Sequence, residues 1–208
     1  MSTVTAIREF KEPSLGPSAP IERITVAQYD AMIAKGVFTE DDPLELLDGF
    51  LVRKMTKGEN HDWTIDDLNV LLLSLLPKSI TVRCQNTLLL ANSRLEPDFV
   101  VCKTAMERKG GQPRAKDTFL VIEVADSSLA RDRGLKQCLY AEAGITCYWV
   151  VNAVAFQVEV YRSPDLTSRK YRNRTDYKLG HGVPLVIRKD TVALISIDAV
   201  FPYASQKS

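Results

Sequence analysis

Two apolar runs that each carry a carboxylate constrain this chain more than any other feature. The first run, PDFVVC, opens with Pro97 and Asp98, and the second, TFLVIEVA, contains Glu123. Both runs are short and rich in Val, Ile and Phe, which predicts buried strands. Alternation along the second strand predicts that Phe119 and Val121 share a face with Glu123. An ionised carboxylate is costly to bury unless a cation or hydrogen-bond donors compensate for its lost water. We therefore expect Asp98 and Glu123 to form a site, and on paired strands they could hold a divalent metal ion.

The segment after Glu123 changes to a helical period. Ser127 or Ser128 is the predicted N-cap of this helix, and Gly144 is its predicted C-terminal stop. Because Asp132 and Lys136 are four residues apart, they should be neighbours on one face of the helix. The helix returns over the sheet, so Lys136 can reach back toward Glu123. The strand-like run at residues 146–152 then completes a strand-helix-strand unit, which predicts a parallel pair.

Four strings of the sequence carry a resemblance to a known family. They are PDFVV, FLVIEVADSSLARDRGLKQCLYAEAGI, YWVVN and, upstream of these, LELLDGFLVRKM. Over residues 24–200 the chain resembles the Uma-type family of bacterial endonucleases, which belongs to the restriction-endonuclease-like PD-(D/E)XK superfamily. This resemblance implies an α/β (mixed α+β) fold in which helices flank a mixed β-sheet.

The resemblance also implies a set of site residues. Mg²⁺ or Mn²⁺ would be bound by Asp98 and Glu123, with a lysine near the scissile phosphate. The superfamily usually has that lysine two residues after the glutamate, where this chain has Ala125. The family pattern matches Lys136 instead, and it makes Glu45 of LELLDG the acidic residue contributed from upstream. The implied reaction is metal-dependent hydrolysis of phosphodiester bonds in nucleic acid, with DNA as the preferred substrate.

The residues taken alone leave alternatives open. Asp98 can simply end a strand, and Glu123 can form a buried ion pair with Lys136 or Arg133. Asp132 and Lys136 can be an ordinary surface pair on the helix. Glu45, which precedes a hairpin turn signal, reads by itself as a solvent-facing strand residue. The protein as a whole can also be a non-catalytic domain that binds nucleic acid or another protein, an alternative that the missing lysine at position 125 favours.

Composition indicates one globular domain. The chain has 208 residues, of which 45% are hydrophobic, enough for one sizeable core. Residues 1–20 predict a flexible arm, and residues 21–208 predict a single restriction-endonuclease-like domain. No apolar stretch is long enough to span a bilayer and no secretory signal opens the chain, which predicts a cytoplasmic protein. The four cysteines are widely spaced, which predicts buried free thiols.

Charge limits how nucleic acid could be held. A formal net charge of +1 gives no overall attraction to a polyanion, so contacts must be local. The candidates are residues 103–116, which join the two carboxylate strands, and the RKYRNR run at residues 169–174. Runs of this kind are more often solvated loops than binding patches. Cleavage of both DNA strands would favour a two-fold homodimer, for which the YWVVN and FQVEVY strands are candidate interfaces.

Other elements follow from local signals. Thr25 and Gln28 predict a capping box at the start of a helix. Residues 61–76 predict a second helix whose apolar face, with Trp63, Val70 and Leu73 among its members, packs on the sheet. FQVEVY alternates as a half-exposed antiparallel strand does. His61 is expected to be a helix cap or surface residue, and His181 has a weaker claim to function.

Overall fold

The computed structural model of the chain describes residues 21–39, 42–103 and 111–206. The predicted arm at residues 1–20 and the middle of the predicted basic loop lie outside these ranges. Within them the strands are β1 (Leu44–Leu47), β2 (Phe50–Arg53), β3 (Ile80–Cys84), β4 (Leu88–Leu89), β5 (Arg94–Leu95), β6 (Phe99–Lys103), β7 (Thr118–Ala125), β8 (Cys147–Asn152), β9 (Gln157–Asp165), β10 (Lys170–Lys178), β11 (Gly182–Ile187) and β12 (Asp190–Ser196). The helices are α1 (Val26–Ala34), α2 (Glu59–Leu75), α3 (Leu129–Arg131), α4 (Gln137–Glu142) and α5 (Ile197–Val200), with a π-helical turn (Asp132–Lys136) between α3 and α4 and 3₁₀ turns at Ala115–Asp117 and Pro202–Gln206.

A six-stranded mixed sheet is the centre of the fold. Its strand order is β10-β9-β8-β7-β6-β3, and β7 and β8 run parallel while the other pairs are antiparallel. The helical segment from α3 to α4 connects the parallel pair, as the sequence predicts. A small sheet of order β2-β1-β5-β4 and the hairpin β11-β12 complete the strands. The predicted mixed α+β architecture, a sheet flanked by helices, is confirmed.

Each face of the large sheet carries one hydrophobic cluster. On one face Leu68 and Leu72 of α2 pack with Ile122 and Trp149 of the sheet and with Ile195 of the β11-β12 hairpin. The cluster on the other face holds members of the small sheet and of α4, including Leu47, Leu95, Tyr140, Val121 and Tyr148. The candidate site residues belong to this second face, where the small sheet and α4 meet the large sheet.

Local signals in the sequence explain where several elements begin and end. Thr25 and Gln28 form the predicted capping box of α1. The Asp48-Gly49 turn joins β1 and β2, and both residues have positive φ (49° and 83°), as a two-residue type I′ hairpin loop requires. Gly144 has φ 75° just after α4, and the Ile145 N–H donates to the Tyr140 carbonyl, which is the Schellman ending that glycine permits.

Three predictions about packing are wrong. Trp63, Val70 and Leu73 of α2 are 47%, 68% and 60% exposed, because only the helix face with Ile65, Leu68 and Leu72 contacts the sheet. Phe119 packs in the cluster of Leu120 rather than with Val121, because the register between β6 and β7 shifts at that end. β9 is not half-exposed: residues 158–161 are all buried, and Glu159 among them pairs with Arg133 and Arg174.

All of the RKYRNR run except Arg169, which lies in the preceding turn, belongs to strand β10, so the run is not a loop. Its arginines are engaged within the protein: Arg169 pairs with Glu142, Arg172 with Asp165, and Arg174 with Asp176 and Glu159. The strands suggested for a dimer interface, β8 and β9, are internal to the sheet and hydrogen-bonded on both sides. They are therefore not available for pairing with a second copy.

The four cysteines are free, as predicted. Cys102 and Cys147 are buried, whereas Cys84 and Cys138 are only half-buried.

Among the described residues, no helix is both long enough and apolar enough to cross a membrane.

Candidate active site

The two strand carboxylates lie side by side on one face of the sheet. Asp98 directly precedes β6, and Glu123 is on β7. Phe99 pairs with Ile122, so extending that register by one residue places Asp98 opposite Glu123, where side chains are close neighbours. Both are buried. Asp98 Oδ2 accepts a hydrogen bond from the Val124 N–H at 2.8 Å, which fixes its orientation against β7.

Glu45 reaches the same place from the small sheet. It lies on β1, and its Oε1 accepts a hydrogen bond from the Glu96 N–H at 2.9 Å. The residue is only 3% exposed, so the reading of Glu45 as a solvent-facing strand residue is wrong.

The helical segment supplies the cation. Lys136 Nζ lies 2.9 Å from Glu123 Oε1, 3.7 Å from Glu45 Oε1 and 4.0 Å from Asp132 Oδ1. The predicted approach of Lys136 to Glu123 is therefore confirmed. Asp132 and Lys136 are the first and last residues of the π-helical turn, a distortion that recurs at functional sites. Both are buried, so they are not the surface pair that their spacing alone suggests.

Two hydroxyl groups orient the carboxylates of this cluster. The Tyr140 hydroxyl donates to Glu123 Oε1 at 2.6 Å, so that oxygen receives both Tyr140 and Lys136. Ser128 is at the N-cap position of α3, but instead of capping the helix its hydroxyl donates to Asp132 Oδ2. Asp132 Oδ1 is buried and accepts no hydrogen bond from any described residue.

His61 is a site residue that sequence reasoning missed. It is buried in the first turn of α2, with Nε2 3.2 Å from Asp98 Oδ1 and Nδ1 3.0 Å from Asp62 Oδ1. The expectation of a cap or surface residue is thus wrong. Burial alone would lower the pKa of His61, but its contacts with Asp98 and Asp62 outweigh that effect and raise the pKa. His181 is exposed and lies outside this cluster.

One cavity of about 180 Å³ lies at this cluster of side chains. Its carboxylates include Glu45, Asp98, Glu123 and Asp132, and His61 and Lys136 are also part of the lining. The lining further includes the cations Lys54, Lys57 and Arg131. Lys54 pairs with Glu96, and Arg131 donates to the Arg53 carbonyl, but exposed Lys57 has no ion-pair partner among the described residues.

The pKa values of three acidic groups in the cavity are shifted from their usual values. Burial raises the pKa of Glu123 well above its usual value; Lys136 opposes this effect, and repulsion from Asp132 and Asp98 adds to it. Burial also raises the pKa of Asp132 to about 6, although Lys136 and Ser128 oppose it. The pKa of Asp98 is lowered instead, because hydrogen bonds from His61 and Val124 overcome its burial.

Four surrounding carboxylates raise the pKa of Lys136. Burial by itself would lower its pKa, but Glu123, Glu45, Asp132 and Asp98 together raise it above the usual lysine range. The ammonium is therefore a fixed positive charge. Four buried carboxylates around one ammonium leave the cluster short of positive charge, which a proton or a metal ion can supply.

The donor set fits a hard divalent cation. Carboxylate oxygens are the ligands that Mg²⁺ and Mn²⁺ prefer, and the unpartnered Asp132 Oδ1 shows that acceptor capacity remains inside the cluster. Among the described residues, however, no three His, Cys, Asp or Glu side chains already surround a common point as ligands. Lys136 Nζ lies between the carboxylates instead, so metal binding requires these side chains to rearrange.

Comparison with known proteins shows the family to which this chain belongs. Residues 26–188 match the model of the Uma2 family, which is described as "Putative restriction endonuclease", and the chain belongs to that family. Among solved structures it resembles one described as a "putative nuclease belonging to DUF820 from Anabaena variabilis ATCC 29413", with a TM-score of 0.65 and 14% sequence identity. The similarity covers 86% of this chain and 98% of that one, and at this identity it shows the shared fold. No curated protein sequence matches the chain.

Proposed function

We propose that this protein is a divalent-metal-dependent endonuclease that hydrolyses phosphodiester bonds in DNA. The observation that carries the proposal is the convergence of Asp98, Glu123, Glu45 and Lys136, from four separate segments, on one cavity. Membership of a family described as restriction endonucleases supports DNA as the substrate. The site residues named from the sequence remain predictions as to their roles.

Asp98, Glu123 and Glu45 would hold the metal ion. A bound Mg²⁺ or Mn²⁺ would orient the phosphodiester and acidify a bound water for attack on phosphorus. Lys136 stays protonated because its pKa is raised, so it is not the proton acceptor of the reaction. Its ammonium instead stabilises the negative charge that develops on the phosphoryl oxygens. His61 holds Asp98 in place through the contact with Oδ1.

The proposal is tested by cleavage of labelled plasmid and single-stranded DNA with Mg²⁺ or Mn²⁺. We expect Asp98→Asn and Glu123→Gln each to abolish cutting, and removal of the metal with a chelator to do the same. Asp165→Asn is the matched control, because that carboxylate is partly exposed, pairs with Arg172 at the end of β9 and does not line the cavity. Cutting that survives either site substitution, in protein that is folded, would contradict the assigned roles.

A non-catalytic nucleic-acid-binding domain is the second candidate. Two observations favour it: the absence of a ready ligand cluster among the described residues, and the alanine at position 125. This candidate predicts DNA binding that ignores divalent metal and tolerates Asp98→Asn. Binding measured by fluorescence anisotropy, with and without chelator, separates the two candidates.

The proposal also covers the domain structure, the location and the oligomeric state of the protein. We take residues 21–208 as a single domain and the cytoplasm as its location. Cleavage of both DNA strands would favour two sites, which a two-fold homodimer would supply. Sedimentation of the protein with and without DNA measures whether that dimer forms.

A further inference from the structure

Asp132 is a buried residue, and one of its two carboxylate oxygens has no hydrogen-bond donor among the described residues. The residue is 1% exposed and lines the cavity, and Ser128 fixes its Oδ2 by a hydrogen bond. Its Oδ1 receives no hydrogen bond from the described residues. Leaving a buried acceptor unpaired is unfavourable, so such a group calls for an explanation.

Among the described residues, the cation nearest to Asp132 Oδ1 is the ammonium of Lys136, at 4.0 Å. That distance is too long for a hydrogen bond. Lys136 donates instead to Glu123 Oε1 at 2.9 Å and lies 3.7 Å from Glu45. The two carboxylates that hold the ammonium are thus two of the three proposed metal ligands.

Metal binding would therefore separate Lys136 from its partners. A cation that takes the oxygens of Glu123 and Glu45 repels the ammonium that now lies against them. A buried ammonium without a partner is strongly unfavourable. For the site to bind a metal and keep Lys136 inside, another acceptor must be in reach of Nζ.

We propose that Asp132 is the positioning residue that receives Lys136 when the metal ion binds. Closing the 4.0 Å separation to the ~2.8 Å of a charge-assisted hydrogen bond needs only a small movement of Nζ. The π-helical turn holds the two residues on the same side, and because Ser128 binds Oδ2, Oδ1 is the oxygen left to accept from Nζ. Asp132 acts through Lys136 and does not touch the substrate. This inference rests on the proposed metal-dependent function.

The test compares Asp132→Asn with Asp126→Asn, a second carboxylate of the same cavity that has no contact with Lys136 among the described residues. Mg²⁺ and Mn²⁺ affinities are measured by calorimetry for the wild type and both variants. The ammonium signal of ¹⁵N-labelled Lys136 is followed by NMR during the same titrations. Both substitutions remove one negative charge, so the control isolates the effect of losing the acceptor.

We expect Asp132→Asn to weaken metal binding by roughly tenfold or more, as loss of a residue that supports a metal ligand shell does. Asp126→Asn should weaken it by less than about fivefold, since that carboxylate is half-buried and solvent screens it. On metal addition the Lys136 ammonium signal should shift and stay protected from exchange in the wild type, and broaden in Asp132→Asn.

Two outcomes overturn the inference in distinguishable ways. If the wild type binds metal but the two variants behave alike, Asp132 contributes only its charge and the transfer of Lys136 is refuted while the proposed function stands. If the wild type binds neither Mg²⁺ nor Mn²⁺ even when the metal is in large excess, the proposed function and this inference both fail.

Discussion

Replacing Lys136 with Met removes the ammonium that lies among Glu123, Glu45 and Asp132. Charges 2.9 Å apart attract by about 6 kcal/mol at an effective dielectric constant near 20. Part of that attraction offsets desolvation, and removal of one partner from a buried pair costs about 3–5 kcal/mol. We expect a loss of this size in the free energy of unfolding, measured by urea denaturation at pH 8 with a chelator present.

The loss should depend on pH because Glu123 can take up a proton in place of the lost ammonium. The pKa of Glu123 is already raised in the folded protein, and without Lys136 it rises further. A carboxyl whose folded pKa exceeds its unfolded value near 4.3 makes the protein less stable as pH rises through that window. Lys136→Met should therefore be less destabilised at pH 5 than at pH 8.

Lys54→Met is the matched control, because Lys54 lines the same cavity but its pair with Glu96 is solvent-accessible. Lys54→Met should lower the free energy of unfolding by about 1 kcal/mol or less, and by the same amount at pH 5 and pH 8. The reasoning is refuted if Lys136→Met costs no more than this control, or if its cost is the same at both pH values.

Three further results are expected. The pKa of Asp132 is raised to about 6, so this residue binds its proton more tightly in the folded protein than in the unfolded one. With chelator present, the free energy of unfolding of the wild type should therefore fall more steeply from pH 4 to pH 6 than that of Asp132→Asn. Equal pH dependence of the two proteins would contradict this. Tyr140→Phe removes the hydrogen bond to Glu123 and should lower the unfolding free energy by about 1–3 kcal/mol, measured by the same denaturation. Lys57→Ala should weaken DNA binding and reduce its salt dependence, because Lys57 lines the cavity and has no ion-pair partner among the residues that the structure describes. Anisotropy at several salt concentrations measures this, and an unchanged salt slope would exclude a phosphate contact.

Much of the fold could be predicted because its signals are local. The capping box at Thr25, the Asp48-Gly49 turn and the glycine stop at Gly144 each depend on a few adjacent residues. The strand β7 and the parallel pair that follows it are likewise encoded by short runs and a change of period. What failed was the assignment of faces: hydrophobic Trp63, Val70 and Leu73 cannot by themselves show which side of α2 meets the sheet.

The residues taken alone predict the candidate site where a carboxylate interrupts an apolar run, and the resemblance adds Glu45 and Lys136. Asp98 and Glu123 stand out because burial of their neighbours is certain from the sequence. His61 and Asp132 lie among polar residues at the start of α2 and beside α3, so only the tertiary packing shows that they are buried. A signal for Asp132 does exist, since Ser128, Asp132 and Lys136 follow one another at intervals of four, but surface helices show the same spacing.

Lys136 brings an ammonium to the cluster from the helical segment, while residue 125 on the strand is alanine. Ala125 is fully buried in the cluster beneath the small sheet, whereas the ammonium arrives from the helical segment that crosses the same face. The π-helical turn adds one residue to that segment, which rotates every following side chain by about 100° about the helix axis. That rotation sets the direction of Tyr140, one turn after Lys136, as well as that of Lys136 itself. Both side chains then meet the same oxygen of Glu123, so a local distortion of the helix supplies the contacts that the strand does not.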